Sequence, residues 1–458
     1  MTEKIDLLVH CGFLYPMDQP GRIVTSAEVA IRDGIVVHAG TAMPAGHWQA
    51  ARTIGGPGVA VLPGFVNCHS HAASAIFRSQ SDDGEGGAAL YKVAFRGEKD
   101  VPASDWRDLA WLGAADMIKA GFTTINDIWY EPEALGEACL QLGLGAEIAF
   151  KLFDLKLEEL WRGDYTRHAD IGEGRLRRGV EFAETWHGKG DGLITTRIGP
   201  HATDTCSEAL HREAFAEAKR LGIGTHTHVA QSPGEVAAIT SWHGLGPAEY
   251  LAHIDCLDQD SVLAHLTFAS PRDLDAVRDT GARYAHCPTI YPRRGMFPDV
   301  PAIDERGIAW GIATDWMMND PFEAMRFALN ALRLTAGRHD AFTSEQALWR
   351  ATAGAANVLG KAGSKGTLAP GKQADLIVLD LDRPHLQPFY GDFSSVVWYA
   401  RAADVVTSVV RGRVIMEHRK LCAGDEAAIV AQVKQHLPRW GQLMTSLGGV
   451  SNIDPCCG

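Results

Sequence analysis

Between residue 59 and about residue 359, short apolar runs alternate with amphipathic helical segments. This alternation constrains the fold more than any other feature of the chain. Strands separated by helices are joined by crossovers, and crossovers make neighbouring strands parallel. The apolar runs are 59–67, 122–128, 146–153, 194–200, 224–230, 262–268, 282–287 and 308–314, with helical candidates such as 103–120 and 206–221 between them. Eight such units over about 300 residues is the size expected of an α/β chain folded as a (β/α)8 TIM-like barrel. A doubly wound open sheet competes with it. That architecture predicts one switch-point crevice and usually a Gly-rich phosphate loop, and the sequence has no such loop.

A barrel presents its functional groups at the C-terminal ends of many different strands, and polar residues stand at those ends. The first run ends in His69-Ser70-His71. Residues i and i+2 of a strand point the same way, so both imidazoles can reach one ion. The second run ends near Asn126, Asp127 and Trp129, and the fourth in Gly199-Pro200-His201. The fifth carries His226-Thr227-His228 and then Gln231; the sixth holds His265, the seventh His286, and the eighth ends in Thr314-Asp315. A single buried histidine is more often a satisfied core residue than a ligand. Histidines on so many strands, with an aspartate on the last, are hard to obtain by chance.

The residue types suit one kind of chemistry. Imidazole nitrogen fits zinc or ferrous iron, and one carboxylate completes such a site while leaving a position for water. A metal lowers the pKa of bound water from 15.7 to roughly 7. Asp315 could hold the metal and also take the water's proton, with His265 orienting the nucleophile or stabilising charge on the substrate.

Composition sets the outer bounds. The chain has 458 residues, 46% hydrophobic and 22% charged, with a net charge of -13. That charge argues against a nucleic-acid or anionic-membrane partner, and no apolar run is long enough to span a bilayer. The N-terminus lacks a basic segment followed by an apolar signal core. The nine cysteines are scattered without a Cys-x-x-Cys pair, as expected of free thiols in a reducing cytoplasm. Cys456-Cys457 read as incidental residues of a loose tail.

The flanks differ from the middle. Residues 5–57 alternate apolar and polar, with turns at Asp18-Gln19-Pro20-Gly21 and Arg32-Asp33-Gly34, and read as short antiparallel strands. The β pattern returns after residue 359 in 366–380, 405–410 and 414–417. Both ends are therefore expected to share one small β-sandwich. The division is 1–57 and 361–425 for its two parts, 58–360 for the barrel, and 426–458 for a terminal helix and tail. Pro438 should end or kink that helix.

At this point the chain resembles the amidohydrolase superfamily, in the branch of cytosine and S-adenosylhomocysteine deaminases and triazine hydrolases. The resemblance covers nearly the whole chain. Pro63-Gly64-Phe65-Val66-Asn67-Cys68-His69-Ser70-His71 resembles the first metal motif. Gly199-Pro200-His201-Ala202 resembles a segment whose histidine contacts substrate, and His226-Thr227-His228-Val229-Ala230 the third-histidine motif. Ala264-His265-Leu266, Ala285-His286-Cys287-Pro288, Ala313-Thr314-Asp315 and the 366–380 return complete the set. The resemblance implies one zinc, less often iron, on His69, His71, His228 and Asp315. It also implies a small-molecule substrate, contacts from His201, Gln231, His286 and Trp316, and a homodimer or larger assembly. The implied reaction is deamination of a purine, pyrimidine, pterin or triazine by a metal-bound hydroxide.

Three departures bear on that reading. Gln231 stands where the branch's deaminases carry a glutamate that passes a proton to the substrate's ring nitrogen. An amide donates and accepts hydrogen bonds but cannot shuttle a proton at neutral pH. Glu235, four residues on, matches the family's second, structural glutamate. Trp316-Met317-Met318 follow Asp315 where small polar residues are usual, and Thr289-Ile290 follow His286 in place of Ser-Asn. Gln231 keeps open an alternative hydrolase that cleaves a C–Cl, C–S or amide-like bond. Lys151 lies in the third candidate strand, where two-metal relatives carry a carboxylated lysine; here it reads as structural.

Overall fold

The computed structural model describes residues 2–80 and 90–448. The strands in chain order are β1 (Glu3–Leu14), β2 (Val24–Arg32), β3 (Ile35–Thr41), β4 (Trp48–Pro63), β5 (Phe65–His71), β6 (Phe122–Trp129), β7 (Gly145–Leu152), β8 (Ile194–Thr196), β9 (Gly199–Pro200), β10 (Thr225–Val229), β11 (Ser261–His265), β12 (Arg283–His286), β13 (Trp310–Ile312), β14 (Asp315–Trp316), β15 (Leu376–Asp380), β16 (Val405–Val410), β17 (Arg413–Glu417) and β18 (Lys420–Leu421).

Both chain ends build one sheet, ordered β18-β17-β16-β15-β4-β1-β2-β3. Alternation explains it. Leu7, Val9 and Cys11 of β1, Ala27, Val29 and Ile31 of β2, and Leu376 and Val378 of β15 recur at every second position and share one buried cluster. Strand β4 joins the two halves, running parallel to β1 and antiparallel to β15, with Val61 opposite Val378. The apolar run at 59–62 therefore ends this sheet and does not open the parallel set, as the sequence had suggested. Gly64 marks the break: a Cβ there would lie 2.1 Å from Thr123 Cγ2. Only a residue without a side chain lets the backbone pass so close.

The middle of the chain is an α/β fold with parallel sheets. Strands β5, β6, β7 and β8 pair in parallel, as do β10, β11, β12 and β13. Strand β9 pairs with β7, bridges at Ile198–Thr225 and Ala202–His228 lead on to β10, and β14 pairs with β5. The described pairings thus form two parallel runs, β10 to β13 and β14-β5-β6-β7-β8. Helices such as Ala103–Ala120, Glu208–Leu221 and Pro271–Thr280 connect the strands. Their ends carry local signals: Ser207 and Ser270 accept N-cap bonds from Leu210 and Asp273, and Gly281 closes the last helix at φ 74°.

The C-terminal helix, Glu426–Ser446, runs through Pro438 and is not ended by it. Proline removes one backbone donor and crowds the preceding turn. Contacts on both sides hold the helix nonetheless. Trp440 Nε1 donates to Asp105 (2.8 Å), Arg439 pairs with the same carboxylate, and His436 Nε2 meets Asp108 at 2.7 Å. Cys456, Cys457 and the expected loose tail lie outside the described residues. Among the described residues no helix is long and apolar enough to cross a membrane.

Candidate active site

Strand ends β5, β10 and β14 bring His69, His71, His228 and Asp315 together. Asn67 locks β5 to the segment before β14: its Nδ2 donates to Thr314 Oγ1 (2.6 Å), and its Oδ1 accepts from Thr314 N (3.1 Å). Asp127 on β6 fixes the other side, accepting from Ala72 N (2.6 Å) and Ser70 Oγ (3.2 Å). Burial pushes the Asp127 carboxyl up to about 7. Asp315 and His265 hold positive φ angles of 61° and 82°, conformations that cost non-glycine residues about 1–3 kcal/mol and gather at functional sites.

The tautomers of two histidines follow from their partners. The Ile128 carbonyl accepts from His71 Nδ1 (2.9 Å), and the His201 carbonyl from His228 Nδ1 (2.6 Å). A carbonyl only accepts, so each Nδ1 carries the hydrogen and each Nε2 presents a lone pair. Burial holds His71 down to about 4 and His228 well below its ordinary value, so both rings are neutral at pH 7. Yet the two Nε2 atoms lie 3.2 Å apart. Asp315 Oδ1 is 3.2 Å from His69 Nε2 and 3.3 Å from His71 Nε2. His69 turns its Nδ1 toward His226 Nε2 at 2.7 Å, and with the hydrogen there its Nε2 is an acceptor too. Acceptors converging at these distances repel one another unless a cation sits among them. The backbone partners of the Nδ1 atoms are the outer contacts that fix metal-ligating imidazoles. This His-rich cluster can therefore hold a metal ion. His69, Asp315 and Cys287 form a second close group.

A cavity opens over the cluster, lined by His71, His228 and Asp315 together with His201, Gln231, His265 and Trp316. His201 lies between Phe95 (5.4 Å between ring centroids) and His228 (4.8 Å), with Nδ1 at 2.8 Å from Thr205 Oγ1. His265 is a neutral imidazole pushed down to about 3 by burial. Trp316 stacks on Phe77 at 5.6 Å while facing the cavity, so it both packs and lines. Gln231 is held through its backbone: its N–H donates to Glu235 Oε2 (2.7 Å), and its carbonyl accepts from Tyr291 (2.8 Å). Glu235 also accepts from Ala230 N (3.1 Å) and Thr203 Oγ1 (2.5 Å), the bridging position expected of a structural glutamate. Burial first, and Asp204 second, push its carboxyl up to about 8.

His286 stands apart from the other expected substrate contacts, because it is not among the residues lining this cavity. Its Nδ1 meets the Tyr284 hydroxyl at 2.8 Å, and its ring packs on Phe297 and Trp310. Tyr284 lies two residues earlier, on the same face of β12, and engages Nδ1, whereas the buried Nε2 has no hydrogen-bond partner among the described residues. Lys151 Nζ pairs with Glu98 at 3.0 Å. Sequence reasoning did not find Tyr291, Arg294 or Glu98. Tyr291 and Arg294 follow a strand end closely enough to have been considered. Glu98 comes from a short helix with no strand-end signal.

The comparisons with known proteins agree with this geometry. A family model described as the amidohydrolase family matches residues 60–415. The 5-methylthioadenosine/S-adenosylhomocysteine deaminase of Pelotomaculum thermopropionicum is 30% identical over 95% of this chain and 98% of its own length. A zinc-bound adenosine deaminase from Xanthomonas campestris superposes with a TM-score of 0.88 at 24% identity, covering 96% of this chain and 100% of that one. A zinc-complexed atrazine chlorohydrolase from Arthrobacter aurescens reaches a TM-score of 0.84 at 19% identity, covering 94% and 100%. At those identities the two solved structures speak to the fold alone. The family match and the relative spanning nearly all of both sequences decide the matter: the chain belongs to the amidohydrolase family.

Proposed function

We propose that this protein is a metal-dependent aminohydrolase that releases ammonia from an aminated heterocycle. The observation that carries the reading is the convergence of His69, His71, His228 and Asp315 acceptor atoms beneath a cavity. One divalent cation would be held by these four groups, with zinc favoured over iron because imidazole and carboxylate suit it and structural neighbours carry it. Bound there, it would supply a Lewis acid that makes water a nucleophile near neutral pH.

The chain's own residues then divide the work. Asp315 takes a proton from the attacking water and hands it to the leaving amine. His265, on the neighbouring strand end, orients the water or donates to developing charge. His201, the Gln231 side chain and Trp316 grip the heterocycle. The name of the relative from Pelotomaculum thermopropionicum favours an adenine nucleoside within the wider heterocycle class. Gln231 favours the second reading, cleavage of a C–Cl, C–S or amide-like bond. The sequence relative at 30% identity outweighs it, since the chlorohydrolase likeness rests on fold alone.

The same reading extends to architecture. The two runs of parallel pairing support a (β/α)8 barrel over about residues 58–360, with the sheet built from both chain ends as the β-sandwich and a terminal helix beyond it. A homodimer or larger assembly and a cytoplasmic setting go with this proposal.

Ammonia release from zinc-loaded protein, measured against adenine nucleosides, other amino-purines, amino-pyrimidines, pterins and amino-triazines, tests it. Turnover of an adenine nucleoside is the expected outcome. Ammonia from none of them, with metal bound, would move the assignment to the second reading.

A further inference from the structure

Adding water across a ring carbon–nitrogen bond places negative charge on the ring nitrogen, which must be protonated as the bond forms. Gln231 cannot give that proton. His201 turns its Nδ1 to Thr205 Oγ1 at 2.8 Å, and His265, packed on His69 and His228, is taken up with the attacking water. The Tyr291 hydroxyl is spent on the Gln231 carbonyl, and the guanidinium of Arg294 does not release a proton. One acid remains among the described residues that line the cavity.

We propose that Lys151 protonates the ring nitrogen and that Glu98 reloads it. The proposal rests on the deaminase reading. Lys151 ends β7 at the cavity wall and is 1% exposed. Its Nζ donates to Glu98 Oε2 (3.0 Å) and Oε1 (3.3 Å) and lies over the rings of Phe95 (4.8 Å), Tyr130 (4.9 Å) and Trp129 (5.2 Å). An ammonium has three donors, so one stays free for substrate after Glu98 takes two. The charged and titratable groups facing it are Glu98, Tyr130, Arg175 and His201. Burial lowers the Lys151 pKa, Arg175 adds to that, and Glu98 opposes both. The result is a more willing proton donor than an exposed lysine. Glu98 also lines a neighbouring cleft with Lys99, Tyr130 and Glu158, which gives the pair a route to fresh protons that bypasses the substrate.

The step balances. The water oxygen bonds to the amine-bearing carbon, and one water proton passes to Asp315. Lys151 Nζ gives a proton to the ring nitrogen and becomes a neutral amine. The exocyclic C–N bond breaks, and the proton on Asp315 leaves with the amine as ammonia. The new hydroxyl becomes a carbonyl by losing its proton to solvent, and Lys151 regains one through Glu98.

Two variants test this on any substrate from which the wild-type protein releases ammonia. Lys151→Arg keeps the charge and the Glu98 contact but not the transferable proton. Lys151→Met removes all three. Both should lower kcat by about 100-fold or more, the scale of general acid catalysis, with little change in KM. The alkaline limb of the wild-type kcat profile should vanish in Lys151→Arg. The same heterocycle carrying chloride in place of the amine needs less protonation, so its hydrolysis should fall by less than about tenfold. Wild-type kcat and an intact alkaline limb in Lys151→Arg would overturn the proposal, as would equal losses on both substrates. Absence of ammonia release by the wild-type protein would instead sink the deaminase reading and this inference with it.

Discussion

Asp315 and Gln231 separate the chemistry from its surroundings. Asp315 touches both His69 and His71 and lines the cavity, so Asp315→Ala should abolish turnover and reduce bound metal. Activity within tenfold of wild type would remove Asp315 from the mechanism. Gln231 has no proton to give and is anchored by its backbone, so Gln231→Ala should cost far less in kcat than Asp315→Ala. Steady-state rates on the same substrate decide this, and an equal loss would contradict it. At this scale the sequence was legible where spacing dictates direction. His69 and His71 share a face because a strand repeats every two residues, and a histidine beyond that strand could be matched to them. The fate of His286 was not legible. The contact of its Nδ1 with Tyr284 is also an i, i+2 relation, but which face of β12 meets the cavity depends on how the strands pack. Glu98 was hidden for a related reason: a carboxylate on a short helix reaches Lys151 only through tertiary placement.

Among the elements, the junction between β4 and β5 and the turn after β10 matter most for the site. Gly64→Ala would drive a methyl group into Thr123, and overpacking of this kind costs about 1–3 kcal/mol. A lowered Tm is expected, and an unchanged one would mean that β5 can shift. The turn after β10 is tied by Glu235, whose carboxyl is raised from 4.5 to about 8. A raised folded pKa gives stability that is fully present below the unfolded value and lost as pH rises through the folded one. Wild-type Tm should therefore fall relative to Glu235→Gln between about pH 5 and pH 9. Parallel Tm curves for the two proteins would show that Glu235 does not titrate as its burial requires. Helix and strand identities were read well from periodicity, whereas boundaries were not. Val59 to Leu62 looks like a buried strand from either side of Gly64, and only pairing with β15 assigns it to the outer sheet. Pro438 was read as an end or a kink, and the helix continues past it; local propensity cannot weigh Asp105, more than three hundred residues earlier, against one lost hydrogen bond.

For the whole molecule, the proposed metal cluster would also be a structural joint, since the four residues assigned to it come from β5, β10 and β14. An ion that binds only the folded chain stabilises it by mass action. Chelation should lower Tm as well as activity, and zinc should restore both; loss of activity with no change in Tm would argue against ligands drawn from distant strands. The parallel α/β character was legible from the alternation of strands and helices, as was the joining of the two chain ends. The sheet order that joins them, with β4 central between β1 and β15, required the folded chain. The central claim is that one metal, held by three histidines and Asp315, drives ammonia release. Zinc titration of metal-free protein, with bound metal and ammonia release followed together, tests it most directly. The rate should rise in proportion to zinc and level off at one ion per chain. Turnover without metal, or a plateau only at two ions per chain, would contradict the account.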